Sequence, residues 1–132
     1  MYQRKSGCCR MNKWKAIDSF WNSFGIPAYE EHSIPENAVM PYITYNVTVD
    51  SLGNMQVCTA DLWYRSNSWQ EVSLKADEIA DYLTIGGKVI PIDNKQYVWV
   101  CRGAPFAQRM PDEEDTIKRI YIVTNVEYLT EN

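Results

Sequence analysis

The run MQVCTADLWYRSNSWQEVSLKADEIADYL, residues 55–83, changes its hydrophobic period midway, and that change decides the fold class. Over residues 55–65, Cys58, Ala60, Leu62 and Tyr64 share one face, while Met55, Val57 and Trp63 share the other. A repeat of two is that of a strand, and apolar residues on both faces predict a central strand covered on both sides. Ser68 and Glu71 then have the spacing of a capping box. Trp69, Val72, Ala76, Ile79, Ala80 and Leu83 follow as a stripe of period 3.6, with Lys75, Asp77, Glu78 and Asp81 opposite. Gly86 and Gly87 are the predicted end of that helix.

Working outward, Ile43, Tyr45, Val47 and Val49 alternate with polar residues after Pro41, and residues 50–54 form a turn that makes a hairpin with the strand at 55–65. Further upstream, Trp14, Ile17, Trp21 and Phe24 recur at helical spacing, with Asn12 as the N-cap and Gly25 as the left-handed stop. Each large side chain buried from so short a helix contributes about 1.5–3 kcal/mol, so tertiary packing holds it in place. A brief edge strand is predicted at residues 28–32, between Pro27 and Pro35. Downstream, residues 89–92 and 96–102 read as a second hairpin, with Tyr97, Trp99 and Cys101 on one face and Val98 and Val100 on the other. Residues 103–115, interrupted by Pro105 and Pro111, read as a loop, and residues 117–130 as a principal strand. The order helix, strands, helix, strands predicts an α+β two-layer sandwich: a largely antiparallel sheet with two main helices packed on one face. Residues 1–11 are expected to be a flexible arm or extension, and residues 12–132 a single domain.

Composition narrows the function. The chain has 132 residues, 45% hydrophobic and 23% charged, as in an ordinary packed domain. No apolar run approaches the roughly 20 residues of a membrane span, and no apolar block near Met1 has the form of a secretory signal, so a soluble protein made in a cytoplasm is expected. Of the 13 basic residues, Arg4, Lys5, Arg10, Lys13 and Lys15 precede the first acidic one, Asp18. That leaves eight against all 17 acidic residues, a balance of −9. An acidic body repels phosphate backbones, which argues against direct nucleic-acid recognition. Cys8 and Cys9 are adjacent, while Cys58 and Cys101 fall in strands and read as small buried hydrophobes.

No catalytic motif is present: there is no GxSxG elbow, P-loop or HExxH helix. His32, beside Glu30 and Glu31, reads as an exposed imidazole. Asp112, Glu113, Glu114 and Asp115 lack the spacing of an EF-hand and read as a solvated loop or a contact for a basic partner surface. No metal or cofactor is implied. Trp14, Trp21 and Trp69 lie on helix stripes and are expected in the core. Trp63 and Trp99, if both face away from the helices, would form an exposed apolar patch of the kind that marks an interface. The loop at 103–115 mixes Phe106 and Met110 with Arg109 and the acidic block, and reads either as an insertion packing on a neighbouring subunit or as a flexible surface loop.

The order of these elements resembles the tail-completion or tail-terminator proteins of long-tailed bacteriophages. The matching features are the first helix, Ile26-Pro27-Ala28-Tyr29, Met40-Pro41-Tyr42-Ile43-Thr44-Tyr45, Ala60-Asp61-Leu62-Trp63-Tyr64, the helix at 69–83 and a closing strand through Tyr121 to Tyr128. Residues 103–115 match nothing in that pattern. The resemblance implies a non-catalytic virion protein of the tail or neck, assembled in the host bacterial cytoplasm. It would form a homo-oligomeric ring of six that caps the tail tube protein and joins it to the head-side connector protein, with no membrane. The interface residues expected on this basis are Trp63, Trp99, Phe106, Arg109, Asp112, Glu113 and Glu114. One alternative is a small enzyme or ligand-binding module with a pocket near Trp99, Arg102 and His32; another is a different neck or connector subunit.

Overall fold

A computed structural model describes residues 12–49, 54–93 and 95–130. The predicted arm at 1–11 and most of the predicted turn at 50–54 lie outside the described residues. Helix α1 spans Lys13–Trp21 and opens on Asn12, whose side chain accepts the Lys15 N–H at 2.8 Å. A 3-10 turn, Asn22–Phe24, ends it at Gly25, whose φ of +85° is the left-handed stop expected there. Ala16, Ile17, Phe20, Trp21 and Phe24 are buried. Trp14 is not: it is 56% exposed, contrary to its expected place in the core. The buried arc begins after the first turn of the helix, and Trp14 sits in that turn on the rim of an open cleft.

Six strands form one sheet: β1 (Ala28–Glu30), β2 (Tyr42–Tyr45), β3 (Met55–Arg65), β4 (Lys88–Pro91), β5 (Gln96–Met110) and β6 (Ile117–Thr130). Their spatial order is β1-β2-β3-β6-β5-β4. Only β1 and β2 run parallel; the other pairings are antiparallel. The bounds of β3 and β6 coincide with the predicted strands, and both are central.

The expectation of a loop at 103–115 is overturned, because β5 continues to Met110. Arg102 pairs with Thr124 and Ala107 with Ile122, so residues 103–106 bulge opposite the single residue Val123. A bulge relieves Pro105 of the N–H that a regular ladder demands. Gly103 is required there, since a Cβ would lie 2.5 Å from Val123 Cγ1 and 2.8 Å from its carbonyl oxygen. Pairing with β6 resumes past the bulge, and only residues 111–116 leave the sheet.

Helix α2, Gln70–Leu83, lies against β3, β5 and β6. Its stripe buries Val72, Ala76, Ile79 and Leu83. The reciprocal capping box is absent: Ser68 Oγ accepts the Gln70 N–H at 3.1 Å, and the helix starts one residue later than that box requires. Thr84, at φ +58°, ends the helix ahead of the predicted glycines. Trp69 is half-buried, packed against the core.

One buried cluster joins both helices to a single set of alternating strand residues. It includes Cys58, Ala60, Leu62 and Tyr64 of β3, Val98 and Val100 of β5, and Ile120, Ile122, Val126 and Tyr128 of β6. Two polar groups on this face are paired, Thr124 Oγ1 donating to the Cys58 carbonyl at 2.7 Å and the Tyr128 hydroxyl to the Thr48 carbonyl at 3.1 Å, whereas Gln56 Oε1 is buried without a hydrogen-bond partner. The two described thiols are free, with Cys58 buried and Cys101 half-buried; burial pushes both upward in pKa. The opposite face of β3 departs from expectation. Met55 and Val57 are 46% and 58% exposed, so the strand is central in the sheet yet covered on one side by its own described residues.

Candidate interaction surface

The sheet face turned away from the core carries aromatic residues that the core does not use. Tyr42, Trp63, Arg119 and Met110 lie in one row across β2, β3, β6 and β5, and Met55, Glu127, Trp99 and Val89 in another across β3, β6, β5 and β4. Trp63 and Trp99 therefore share this face. Their partners Arg119 and Glu127 are eight residues apart on β6, which separates the rows by roughly 27 Å. Trp63 is held in place: its indole N–H donates to Thr44 Oγ1 at 2.9 Å, and the Arg119 guanidinium lies 5.1 Å from its ring centre. Arg119 Nε approaches Asp61 Oδ1 at 3.2 Å, as an ion contact not aligned as a hydrogen bond. Burial raises the Asp61 carboxyl in pKa, and the positive charge of Arg119 opposes that shift.

The remaining predicted contact residues do not join this face. Phe106 is half-buried against the core. Arg109 pairs with Ile120 and so lies on the helix side, 5.1 Å from the Trp69 ring and 3.4 Å from Ser73 Oγ. Asp112, Glu113 and Glu114 occupy the exposed connection from β5 to β6. There Asp112 Oδ1 accepts the Glu114 N–H at 3.0 Å, and the Glu114 carboxylate meets Arg65 at 2.9 Å. Among the described residues the one group with metal-ligand proximity is Glu30, Glu31 and His32, whose ligand atoms lie within 4.8 Å of one another. It is an exposed cluster in which His32 Nδ1 and Glu30 Oε2 are 2.9 Å apart. This hydrogen bond and the carboxylate's charge raise the His32 pKa, while the same hydrogen bond lowers that of Glu30.

Trp99, Arg102 and His32 do not form a pocket together. Arg102 Nε and Nη2 donate to the Ala80 carbonyl at 3.0 and 2.6 Å, tying the last turn of α2 to the sheet. Trp99 faces the other way, its indole N–H donating to the Gly86 carbonyl at 2.9 Å. His32 follows β1, four strand positions or ~19 Å across the sheet from β5.

Two features escape sequence reasoning. A cleft of about 540 Å³ lies between α1, β1 and β2, lined by Asn12, Trp14, Lys15, Asp18, Glu30, Tyr45 and Val47. At its base the Tyr45 hydroxyl donates to Asp18 Oδ1 at 2.5 Å; burial, and then this bond, raises the tyrosine's pKa. At the far end of the sheet Ile85 stands 96% exposed on the turn from α2 to β4. The sequence periods place Trp14 on a helix and Tyr45 and Val47 on a strand, and only the packing of the two makes a cleft of them.

No helix among the described residues is long and apolar enough to cross a membrane. No family model and no curated protein matches the chain. Among solved structures it is similar to a chain in one described as "Virion of native gene transfer agent (GTA) particle", with 16% sequence identity and a TM-score of 0.49 over 76% of this chain and 77% of that one.

Proposed function

We propose that the protein is a non-catalytic structural subunit of a phage-like virion, a tail terminator that assembles as a ring of six, caps the tail tube and joins it to the head-side connector. The observation that carries this reading is the outer sheet face, where Met55, Val57 and Val89 stand 46%, 58% and 58% exposed and Trp63 and Trp99 are half-buried. Exposed apolar residues gathered on one face mark protein interfaces. The order of motifs from Ile26-Pro27-Ala28-Tyr29 to the closing strand supports the same reading.

In this reading residues 12–132 act as one domain, with the helices forming one layer and the sheet the other. Trp63 and Trp99 anchor the apolar contact. Arg109, Phe106 and the acidic residues Asp112, Glu113 and Glu114 serve a second patch beside α2. A head-to-tail ring needs two different complementary patches on each subunit, and each standard-sized contact buries about 800 Å² per partner.

The test is size-exclusion chromatography with light scattering, followed by electron microscopy with purified tail tubes. The expected result is a discrete species near six times the 15.3 kDa chain mass that binds tube ends. A chain that ignores tube ends, or that turns over a substrate, overturns the reading.

A further inference from the structure

The two features at opposite ends of the sheet are complementary. The turn linking α2 to β4 is braced from several directions. The Thr84 N–H donates to the Ala80 carbonyl at 3.1 Å, and Arg102 holds that same carbonyl from β5. Trp99 holds the Gly86 carbonyl. Gly87, at φ +80°, packs so closely that a Cβ would lie 2.6 Å from Trp99 Nε1 and 2.7 Å from the Val100 carbonyl. Thr84 adopts φ +58°, a conformation that costs a non-glycine residue energy. All this holds in solvent an aliphatic side chain, Ile85, with Tyr82 and Val89 also exposed beside it in the chain. A lone exposed isoleucine is ordinary. One fixed on a braced turn is pre-organised for insertion, because little conformational freedom is left to lose on binding.

The cleft at the other end offers the matching wall. Trp14 and Val47 line it with apolar surface, and Asp18 and Glu30 add negative charge. Lys88 flanks the turn, its ammonium 5.1 Å from the Tyr82 ring, and Asp81 precedes it. Lys88 and Asp81 thus carry charges opposite to those of Glu30, which also meets His32 of its own chain, and Lys15 on the cleft. The cleft adjoins β1 and the turn precedes β4 at the other edge of the sheet, and Ile85, 96% exposed, does not fill the cleft of its own chain. A row of copies can join turn to cleft, and it closes into a ring where the rotation allows.

We infer that Ile85 on the turn between α2 and β4 of one copy inserts into the α1–β1–β2 cleft of the next, with Lys88 meeting Glu30 across the contact. This rests on the ring reading above and adds a subunit-to-subunit joint to the contacts given there.

The test uses the full chain; Ile85 is exposed and Glu30 and Lys88 are half-buried, so the folding of each variant is checked by thermal unfolding. Ile85→Asp is expected to weaken association about 10- to 100-fold by sedimentation across a concentration series. Lys88→Glu and Glu30→Lys should each weaken it several-fold, and the two together should recover most of the loss. Ile85→Asp assembling like the unaltered chain overturns the joint and leaves the ring reading standing. Loss with Ile85→Asp, but no recovery in the charge exchange, overturns the assignment of the cleft as its socket. An unaltered chain that stays monomeric at about 1 mM overturns both.

Discussion

The two faces of β3 carry the same alternation and meet different fates. Cys58, Ala60 and Leu62 are at most 2% exposed beneath the helices, whereas Met55 and Val57, on the same strand, stand about half in water. The difference shows that an apolar strand face states only that it can be buried. On the inner face the covering comes from α2 of the same chain, so those residues carry folding stability. Around Met55 and Val57 on the outer face the described residues leave about half of each side chain in water, so the same chemistry is available for association.

The comparison breaks most sharply at Leu62. Leu62→Ala should destabilise the fold by about 2–5 kcal/mol in chemical denaturation, through lost burial and the cavity left behind. Gly103→Ala is expected to cost about 1–3 kcal/mol by the same measurement, since the new methyl would meet the Val123 side chain and carbonyl where β5 bulges beside β6. Asn12→Ala removes the oxygen that accepts the Lys15 N–H and should cost about 1 kcal/mol, which probes how firmly α1 is held at the edge of the covered face. Val57→Ser, on the open face, should change monomer stability by no more than about 0.5 kcal/mol yet weaken assembly in light scattering. A loss of stability comparable to that of Leu62→Ala would erase the distinction between the faces.

The smallest effect belongs to the exposed pair His32 and Glu30. The folded-state His32 pKa is raised by the Glu30 hydrogen bond and charge, so its contribution to stability is fully present below the ordinary value of 6.5 and is lost as pH rises through the folded-state value. An NMR titration of the His32 ring should give a midpoint above 6.5 that returns toward it in Glu30→Gln, with little change in melting temperature because the pair is solvated.

Much of the fold is legible in the sequence because period is a local property. The alternation over 55–65 and 117–130 marks β3 and β6, the stripe from Val72 to Leu83 marks the packed side of α2, and Asn12 and Gly25 bracket the first helical segment. The misplaced stretches are those whose structure depends on a distant neighbour. Pro105 reads as the end of a strand until β6 is seen to accept a four-residue bulge opposite Val123. Trp14 reads as core until the buried arc of α1 is seen to begin one turn later. The predicted contact residues divide in the same way: Trp63 and Trp99 share a face as alternation implies, whereas Arg109 falls on the helix side because the bulge resets the register of β5.

Local side-chain spacing is enough to set most of the secondary elements, the mixed α and β class and the inner face of the sheet, since it settles which residues of a strand or helix point together. Tertiary structure alone decided the parallel pairing of β1 with β2, the continuation of β5 past its proline, the cleft beneath Trp14 and the braced turn that exposes Ile85. Each of these is a relation between segments far apart in the chain, and such relations are set by what packs across the gap, which no local period records.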